Sequence, residues 1–210
     1  MDDRERRIGS LGELWALIRE DRRTNGGIGR PGFQALAIYR FGVWKDGLGS
    51  RPLRIPFTII YRLAHGFVRN FYGIELPHTA RIGRRLLVGH QHGILVHGNA
   101  VIGDDCLIRQ GVTIGQERPT PGVPDAQVPA PRLGNRVEIG AGAMIVGKIT
   151  IGDGVRIGPN AVVMTSVPAG AMVTAAPSRI MAPPPRRKPA IAPAAPAVAP
   201  AVEISRKTGT

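Results

Sequence analysis

Branched apolar residues recur at every sixth position along the second half of the chain. These anchor positions are Leu133, Ile139, Ile145, Ile151, Ile157 and Val163. Another apolar residue follows each anchor four positions later. A period of six fits neither an α-helix, whose apolar stripe repeats near 3.6, nor an amphipathic strand, whose faces alternate by two. It indicates a short strand followed by a tight turn.

Three such hexads make one triangular coil, and stacked coils bury a continuous aliphatic column. The pattern therefore predicts a mainly β fold, a parallel β-helix of hexapeptide repeats. Glycine follows the anchor at Gly134, Gly140, Gly152 and Gly158. We expect these glycines to adopt the turn conformation that a β-carbon would resist.

An earlier block shows the same period in two frames. Ile82, Val88 and Ile94 share one frame, and Ile102, Ile108 and Ile114 share the other. The frame slips by two, and we place the slip near Ala100. Between the blocks lies a proline-rich stretch, 116–132, which predicts a loop leaving one corner of the coil. Such a loop either walls an active site or is a surface insertion without function.

Three helices are expected before the repeats. Ser10 caps the first, the second runs from Pro31 to about Asp46, and the third from Ile55 to about Phe71. The third helix combines apolar bulk with arginines, so it fits packing against the coils or another subunit, or a membrane surface. The expected domains are an α-helical region at 1–72, the β-helix at 73–182, and a disordered tail rich in Pro and Ala at 183–210.

The composition of the chain bears on its cellular location and on the kind of partner it binds. The single cysteine, Cys106, cannot close an intramolecular disulfide, and the N-terminus lacks a secretory layout. No apolar run approaches the roughly 20 residues that cross a bilayer, so we expect a cytoplasmic protein, with the inner face of the membrane left open. The net charge of +13 suits an anionic partner or a solvated face. Nucleic acid is disfavoured, because no basic and aromatic residues interleave.

Histidines concentrate in the first repeat block, at His78, His90, His92 and His97. A neutral imidazole is well matched to removing a proton from a hydroxyl near neutral pH. Spacing alone favours exposed turn residues over catalytic ones.

The segment 73–180 resembles the serine acetyltransferase family of hexapeptide transferases. The resemblance rests on GIELPHTARIGRRLLVGHQHGILVHGNAVIGDD, IRQGVTIG and LGNRVEIGAGAMIVGKITIGDGVRIGPNAVV, and it reaches back to GFQALAIYRFGVW. IRQGVTIG and PRLGNRVEIGA are most similar to the exopolysaccharide branch, the colanic-acid-type O-acetyltransferases. The resemblance implies a left-handed β-helix and the activity of an acetyl-CoA-dependent O-acetyltransferase. The expected protein is a cytoplasmic homotrimer, with a hexamer left open.

The resemblance also implies roles for particular residues. The family's catalytic base falls on His90, and the acidic residue that orients it falls on Glu75. His92 and Asn25 are expected at the acceptor. Coenzyme A is expected between neighbouring subunits, at Gly115, Ala141, Gly147, Ala175, Ala176 and Arg179. No metal is expected.

The acceptor contacts depart from those of true serine acetyltransferases. Where that family has charged residues and a second histidine, this chain has Asn25, Gly89, Pro129 and Ala130. A zwitterionic amino acid needs opposite charges at its ammonium and carboxylate. We therefore expect a sugar hydroxyl in exopolysaccharide biosynthesis as acceptor, with serine O-acetylation in cysteine biosynthesis as the alternative.

Two other functional classes, a zinc enzyme and a structural protein, fit the sequence less well than an acetyltransferase does. In a γ-type carbonic anhydrase, His92 and His97 would bind zinc, but a third ligand is not evident. A purely structural β-helix is disfavoured by histidines beside a long loop. Cys106 occupies an inward repeat position and is not expected to be a nucleophile.

Overall fold

The structure is a computed structural model that describes residues 8–116 and 128–177. The helices are α1 (Leu11–Thr24), α2 (Pro31–Asp46) and α3 (Arg51–Phe67), followed by a π-helical turn, Val68–Tyr72. The strands are β1 (Ile74–Glu75), β2 (Arg81–Ile82), β3 (Leu87–Val88), β4 (Ile94–Val96), β5 (Val101–Ile102), β6 (Leu107–Ile108), β7 (Thr113–Gly115), β8 (Arg132–Leu133), β9 (Glu138–Ile139), β10 (Met144–Val146), β11 (Thr150–Ile151), β12 (Arg156–Ile157), β13 (Val162–Val163) and β14 (Met172–Val173).

Consecutive strands belong to three different parallel sheets. Sheet A has the order β1-β4-β7-β10-β13, sheet B has β11-β8-β5-β2, and sheet C has β14-β12-β9-β6-β3. The chain therefore visits the three sheets in turn and stacks each coil on the one before. This is a left-handed parallel β-helix of about four turns, and the predicted fold class is confirmed.

The aliphatic column predicted from the repeat forms the core of the β-helix. Every anchor position from Leu133 to Val163 is at most 4% exposed. The companion residues four positions later are also buried, from Val137 to Ala161, and Val167 packs against the same core. The period of six thus places two inward side chains in each hexad, which is why the core needs few aromatic rings.

The glycines that follow the anchors are required for close stacking rather than for a turn conformation. The left-handed backbone lies three positions after the anchor, at Arg85, Asp105, Arg136, Gly142, Gly154 and Asn160. Gly103 and Gly134 are not among the residues with positive φ. A Cβ added at Gly103 would clash with the carbonyl oxygen of Gly134 in the next coil. The prediction that these glycines adopt the turn conformation is therefore wrong, because coil-to-coil approach selects them.

The frame slip of the first block also lies at a different turn from the one expected. Val88 pairs with Ile108, twenty residues later, whereas Val96 pairs with Ile114, eighteen residues later. Two residues are therefore inserted before Val96. The prediction of a slip near Ala100 is wrong.

The apolar spacing could not distinguish the two frames, because Ile94 and Val96 are both buried in β4. Register shows that the insertion falls in segment 89–93, between sheets C and A. This corner segment contains His90 and His92. The irregularity of the repeat and the cluster of titratable side chains are therefore one feature.

The predicted helices are confirmed, with one change of boundary. The Ser10 hydroxyl caps α1 by accepting from the Glu13 N–H over 3.1 Å. The third helix begins at Arg51 rather than at Ile55. Pro56 is tolerated inside it because it removes only one main-chain donor close to the solvent-exposed first turn. None of the helices in residues 8–116 and 128–177 is long and apolar enough to cross a membrane.

Helix side chains cover the open edge of the first coil. The Tyr39 hydroxyl donates to Ala80 O and accepts from Ile82 N–H at the edge strand β2. The Arg40 guanidinium donates to the carbonyl oxygens of Ile82 and Gly83, and it forms a buried ion pair with Asp21, with Nε 2.9 Å from Oδ2. The helical region therefore completes the hydrogen bonding that a preceding coil would provide.

The long loop leaves the β-helix where sheet A gives way to sheet B. Its last described residue before the gap is Gln116, and the chain is described again from Val128. The departure from one corner agrees with the prediction. The role expected for the loop, and the predicted tail at 183–210, fall outside the described residues.

Candidate active site

A cavity of about 840 Å³ opens between the loop that follows α1 and the turn at which the chain leaves sheet C for sheet A, here called corner C–A. Three residues predicted for the site, His90, His92 and Asn25, line this cavity together. Thr24, Arg30 and Gln110 line it as well. Sequence reasoning missed these three, because only the fold brings a helix end and the second coil to the same corner.

Corner C–A is held firmly at both ends of its insertion. The Gly89 N–H donates to Ile108 O, and the His92 N–H donates to Tyr72 O, each over 2.8 Å. His92 has a φ of 78°, a left-handed backbone uncommon for residues other than glycine. His90 therefore lies on a short bulge whose ends are fixed by the next coil and by the π-helical turn that precedes β1.

The His90 imidazole is exposed and has no hydrogen-bond partner among the side chains and main chain that the structure describes. Its neighbours are otherwise engaged, since Gln91 Nε2 lies 3.0 Å from His92 Nε2. An amide nitrogen can only donate, so in this arrangement the His92 Nε2 is the acceptor. A free imidazole facing a cavity is the arrangement that a general base requires.

Glu75 lies away from this cavity. It is the second residue of β1 and pairs with Leu95 in sheet A, so its side chain emerges from the flat face rather than from corner C–A. Its carboxylate acts electrostatically on His65 and Tyr61. The structure of one chain thus does not bring Glu75 to His90, and the orienting role of Glu75 stays a prediction.

A second group of titratable side chains surrounds Tyr61, beneath α3. Its ring stacks on His65 and meets His78 edge-on, with ring centroids 5.3 and 4.7 Å away. Burial raises the pKa of Tyr61 to about 12, with Asp46 adding to the shift. Burial likewise lowers the pKa of His65, against the opposing charge of Glu75. These shifts follow from packing, so this cluster serves the fold of the helical region.

The side chain of Asn25 forms hydrogen bonds with main-chain groups of α1 and of the first coil. Its amide nitrogen donates to Asp21 O and to Leu86 O, over 2.9 and 3.0 Å. Its oxygen accepts from the Val88 N–H over 2.9 Å. Both amide hydrogens are therefore used, and only the second lone pair of the oxygen remains for an acceptor molecule. These bonds give Asn25 a role in positioning the strand that precedes His90, and they leave little of its side chain for the expected contact with substrate.

The residues expected at coenzyme A fall on two corners of the β-helix. Ala141 lies at corner C–A, one coil above Gln110, and Ala175 and Ala176 directly follow β14, as His90 follows β3. Gly115 and Gly147 lie at the other end of the sheet A strands, where the Gly147 N–H donates to Gly115 O over 3.0 Å. Arg179 is outside the described residues.

The face of sheet A joins these two corners. Its outward side chains include Leu95, Met144 and Val162, which are 43%, 41% and 61% exposed. These side chains occupy equivalent positions in successive coils, with Thr113 between Leu95 and Met144, so they form a mainly apolar strip that runs parallel to the axis of the β-helix, between the two corners. It is suited to contact an aliphatic chain or another apolar surface.

Cys106 and the remaining histidine pair do not form a reactive centre. Burial raises the pKa of the Cys106 thiol to about 11, and its Sγ lies 3.3 Å from Gly134 O. His92 and His97 lie before and after β4, so their side chains stand at different corners. Within residues 8–116 and 128–177, no three His, Cys, Asp or Glu side chains are grouped to hold a metal ion.

The charge of the cavity bears on its ligand. Across the described residues that line it, there is a cation, Arg30, but no carboxylate. Arg30 could pair with an anionic group of a bound molecule. An ammonium group would find no opposite charge there, so the site as described suits a neutral or anionic ligand.

Comparison with known proteins gives the family. A family model described as bacterial transferase hexapeptide (six repeats) matches residues 130–164. The putative colanic acid biosynthesis acetyltransferase WcaB of Escherichia coli strain K12 is 36% identical over 166 residues, which is 77% of this chain and 96% of the relative. The serine acetyltransferase of Synechococcus elongatus is 37% identical over 151 residues, 72% of this chain. The chain spans 57% of that relative's length.

Comparison with solved structures also finds serine acetyltransferases of similar fold. The crystal structure of serine acetyltransferase in complex with coenzyme A from Brucella abortus strain S19 superposes with a TM-score of 0.62 at 25% identity. The match covers 81% of this chain and 68% of the other. The helical region and the β-helix therefore occur together in a protein that binds coenzyme A.

Proposed function

Because the chain belongs to the acetyltransferases built on hexapeptide repeats, we propose that it transfers an acetyl group from acetyl-CoA to a hydroxyl group, most suitably that of a sugar. The observation that carries the proposal is the free imidazole of His90, raised on a two-residue insertion at the cavity. The turns at corner C–A that follow β6, β9 and β12 lack this insertion.

The proposed reaction transfers the acetyl group directly to the acceptor, without a covalent enzyme intermediate. His90 accepts the proton of the acceptor hydroxyl as its oxygen attacks the thioester carbonyl of acetyl-CoA. The C–S bond breaks, and the thiolate of coenzyme A leaves and takes a proton from the imidazolium. Main-chain N–H groups near the site would stabilise the oxyanion. Glu75 would fix the imidazole tautomer if assembly of subunits brings the two groups together.

The absence of a carboxylate in the described cavity lining supports a sugar acceptor. Serine would place an ammonium group there unpaired, which is costly in a partly desolvated site. A sugar hydroxyl carries no such charge. The similarity to a colanic acid acetyltransferase over most of both chains supports the same choice.

A coenzyme A release assay tests the acceptor. Purified protein and acetyl-CoA are incubated with serine, with neutral glycans and with acidic glycans, and free thiol is measured over time. We expect turnover with a glycan and only the background rate with serine. Efficient acetylation of serine with no glycan used would overturn the sugar assignment while leaving acetyl transfer intact.

Serine O-acetylation is the second candidate. It is favoured by the similarity to serine acetyltransferases in sequence and in fold. Residues 117–127, which the structure does not describe, include Asp125, a carboxylate that could meet an ammonium group. The assay above separates the two candidates directly.

We propose that the active form is a homotrimer, with a hexamer left open. The apolar strip of Leu95, Met144 and Val162 would be covered by a neighbouring subunit. Coenzyme A would cross the same strip, from the corner of Ala141 and Ala175 to the corner of Gly115 and Gly147. Light scattering on the purified protein tests this assembly, and a monomer with full activity would contradict it.

A further inference from the structure

Helix α3 carries large apolar side chains on both of its sides. The side turned toward the body of the protein includes Phe57, which packs against Phe41 and Trp44, together with Tyr61 and His65. The side turned to solvent is aliphatic and aromatic. A surface helix normally turns its apolar stripe inward, so the outward stripe of α3 requires another explanation.

The exposed side chains form one apolar face, here called the α3 face. It comprises Leu53, Ile55, Ile59, Ile60, Leu63, Phe67 and Phe71, between 48% and 72% exposed. Seven large side chains at this exposure make a patch on the order of several hundred Å², the size at which exposed patches mark interaction sites.

The charged side chains within the segment that carries the α3 face are all positive, whereas Asp46 and Glu75, which flank the segment, act on Tyr61 and His65. Residues 47–74 contain four arginines and no Asp, Glu or Lys. Arg51, Arg62 and Arg69 are exposed beside the apolar stripe. Arg51 and Arg62 are eleven residues apart, about three helical turns, so they lie along one flank. The partner of this face must therefore offer an apolar surface bordered by negative charge.

We propose that the α3 face docks on the surface of a membrane rich in anionic phospholipid, with the helix lying in the plane of the interface. The aliphatic side chains enter the boundary between headgroups and acyl chains, and the arginines meet lipid phosphates. This surface is independent of the proposed acetyl transfer. It would hold the cavity close to an acceptor that is carried on a lipid.

A second copy of the same face is a poorer partner. An isologous contact would place the arginines of both copies together without a carboxylate within that segment of either copy. An anionic bilayer offers both of the required properties at once. The charge complementarity therefore selects the membrane.

Vesicle flotation of the full chain tests the proposal. The protein is mixed with phosphatidylcholine vesicles, and separately with vesicles in which about a third of the lipid is phosphatidylglycerol. We expect binding to the anionic vesicles to exceed binding to the neutral ones by about tenfold or more, and to weaken between about 0.1 and 0.5 M salt. No binding to either vesicle would overturn the proposal.

Substitutions locate the contact. Leu63→Glu, at a side chain 72% exposed, should reduce binding to anionic vesicles about tenfold or more. Trp15→Glu is the matched control, because Trp15 is 59% exposed on α1 and outside the face. Equal loss in both variants would contradict the assignment. Leu63→Gln serves the same purpose if the charged variant fails to fold, and truncation after Pro177 should retain binding.

Measurement of mass without lipid separates the membrane from a protein partner. Light scattering should give the same oligomer for the wild type and for Leu63→Glu. A smaller oligomer for the variant would show that the α3 face is a contact between subunits, and it would overturn the proposal. Lost binding on truncation after Pro177 would assign the lipid contact to the C-terminal segment instead.

Discussion

The side-chain oxygen of Asn25 accepts a hydrogen bond from the main-chain N–H of Val88 over 2.9 Å. This contact ties the end of α1 to the edge strand β3, two residues before the proposed catalytic imidazole. The loop that forms one wall of the cavity and the corner that forms the other are therefore joined by one side chain.

Asn25→Ala should lower the free energy of unfolding by about 2 kcal/mol, because it leaves buried main-chain groups of Leu86 and Val88 without partners. Urea denaturation followed by circular dichroism measures the change. Asn70→Ala, at an exposed residue, is the control and should shift stability by less than about 0.5 kcal/mol. Equal effects of the two substitutions would remove the positioning role of Asn25.

His90→Ala should reduce the rate of coenzyme A release by a factor on the order of 100 or more, because the general base is lost. The side chain is exposed, so the unfolding transition should not change. Glu138→Ala, on the outward face of sheet C, is a control that should retain the wild-type rate. Full turnover by the His90 variant would contradict the proposed mechanism but not the fold.

Deletion of Gln91 and His92 should restore the regular length of corner C–A, matching the turn one coil above. We expect the protein to fold with a similar melting temperature but to lose activity, because His90 would no longer stand on a bulge. Deletion of Arg109 and Gln110 from the regular turn should instead prevent folding. If both deletions unfold the protein, the insertion is needed for stability and not only for chemistry.

Gly103→Ala should destabilise the β-helix by about 1–3 kcal/mol, since the added methyl group overlaps the main chain of Gly134 in the next coil. Gly66→Ala has open space around the new methyl group and lies in α3, so it should stabilise by up to about 1 kcal/mol. Thermal unfolding of the two variants distinguishes them. A neutral Gly103 variant would contradict the role assigned to coil stacking.

The pKa of His65 is lowered by burial, so the unfolded chain binds this proton more readily than the folded one. The contribution of His65 is therefore fully present above its ordinary pKa of 6.5 and is lost as the pH falls below that value. We expect the free energy of unfolding to decrease on acidification through this range, and His65→Gln to flatten the dependence. Urea denaturation between about pH 7.5 and pH 5.5 measures both slopes. Parallel slopes would contradict the assignment.

The six-residue repeat was sufficient to predict most of the fold from the sequence alone. Anchors such as Ile139 and Ile151 point inward because a period of six leaves no other arrangement. The slip near Ala100 was misplaced because Ile94 and Val96 are both apolar and both buried, so only strand register separates the frames. Hydrophobic patterning fixes which side chains face the core, whereas register depends on contacts between coils.

The site was predictable only in part, for a similar reason. His90, His92 and Asn25 do meet at one cavity. The surroundings of Glu75 were not predictable, because the side chains on which its charge acts, Tyr61 and His65, belong to α3 and are brought near Glu75 only by the fold. The outward apolar stripe of α3 was also ambiguous, since periodicity identifies an amphipathic helix but not the direction in which it faces.

The hydrogen bonds from Tyr39 and Arg40 to strand β2 have a consequence beyond this one molecule. A stack of nearly identical coils with a bare edge is a template on which a second molecule could continue the same sheets, end to end, into a filament. Side chains from the helices occupy those donors and acceptors and offer no strand in return. At this end of the described β-helix, the helices thereby block the addition of a further coil from a second molecule.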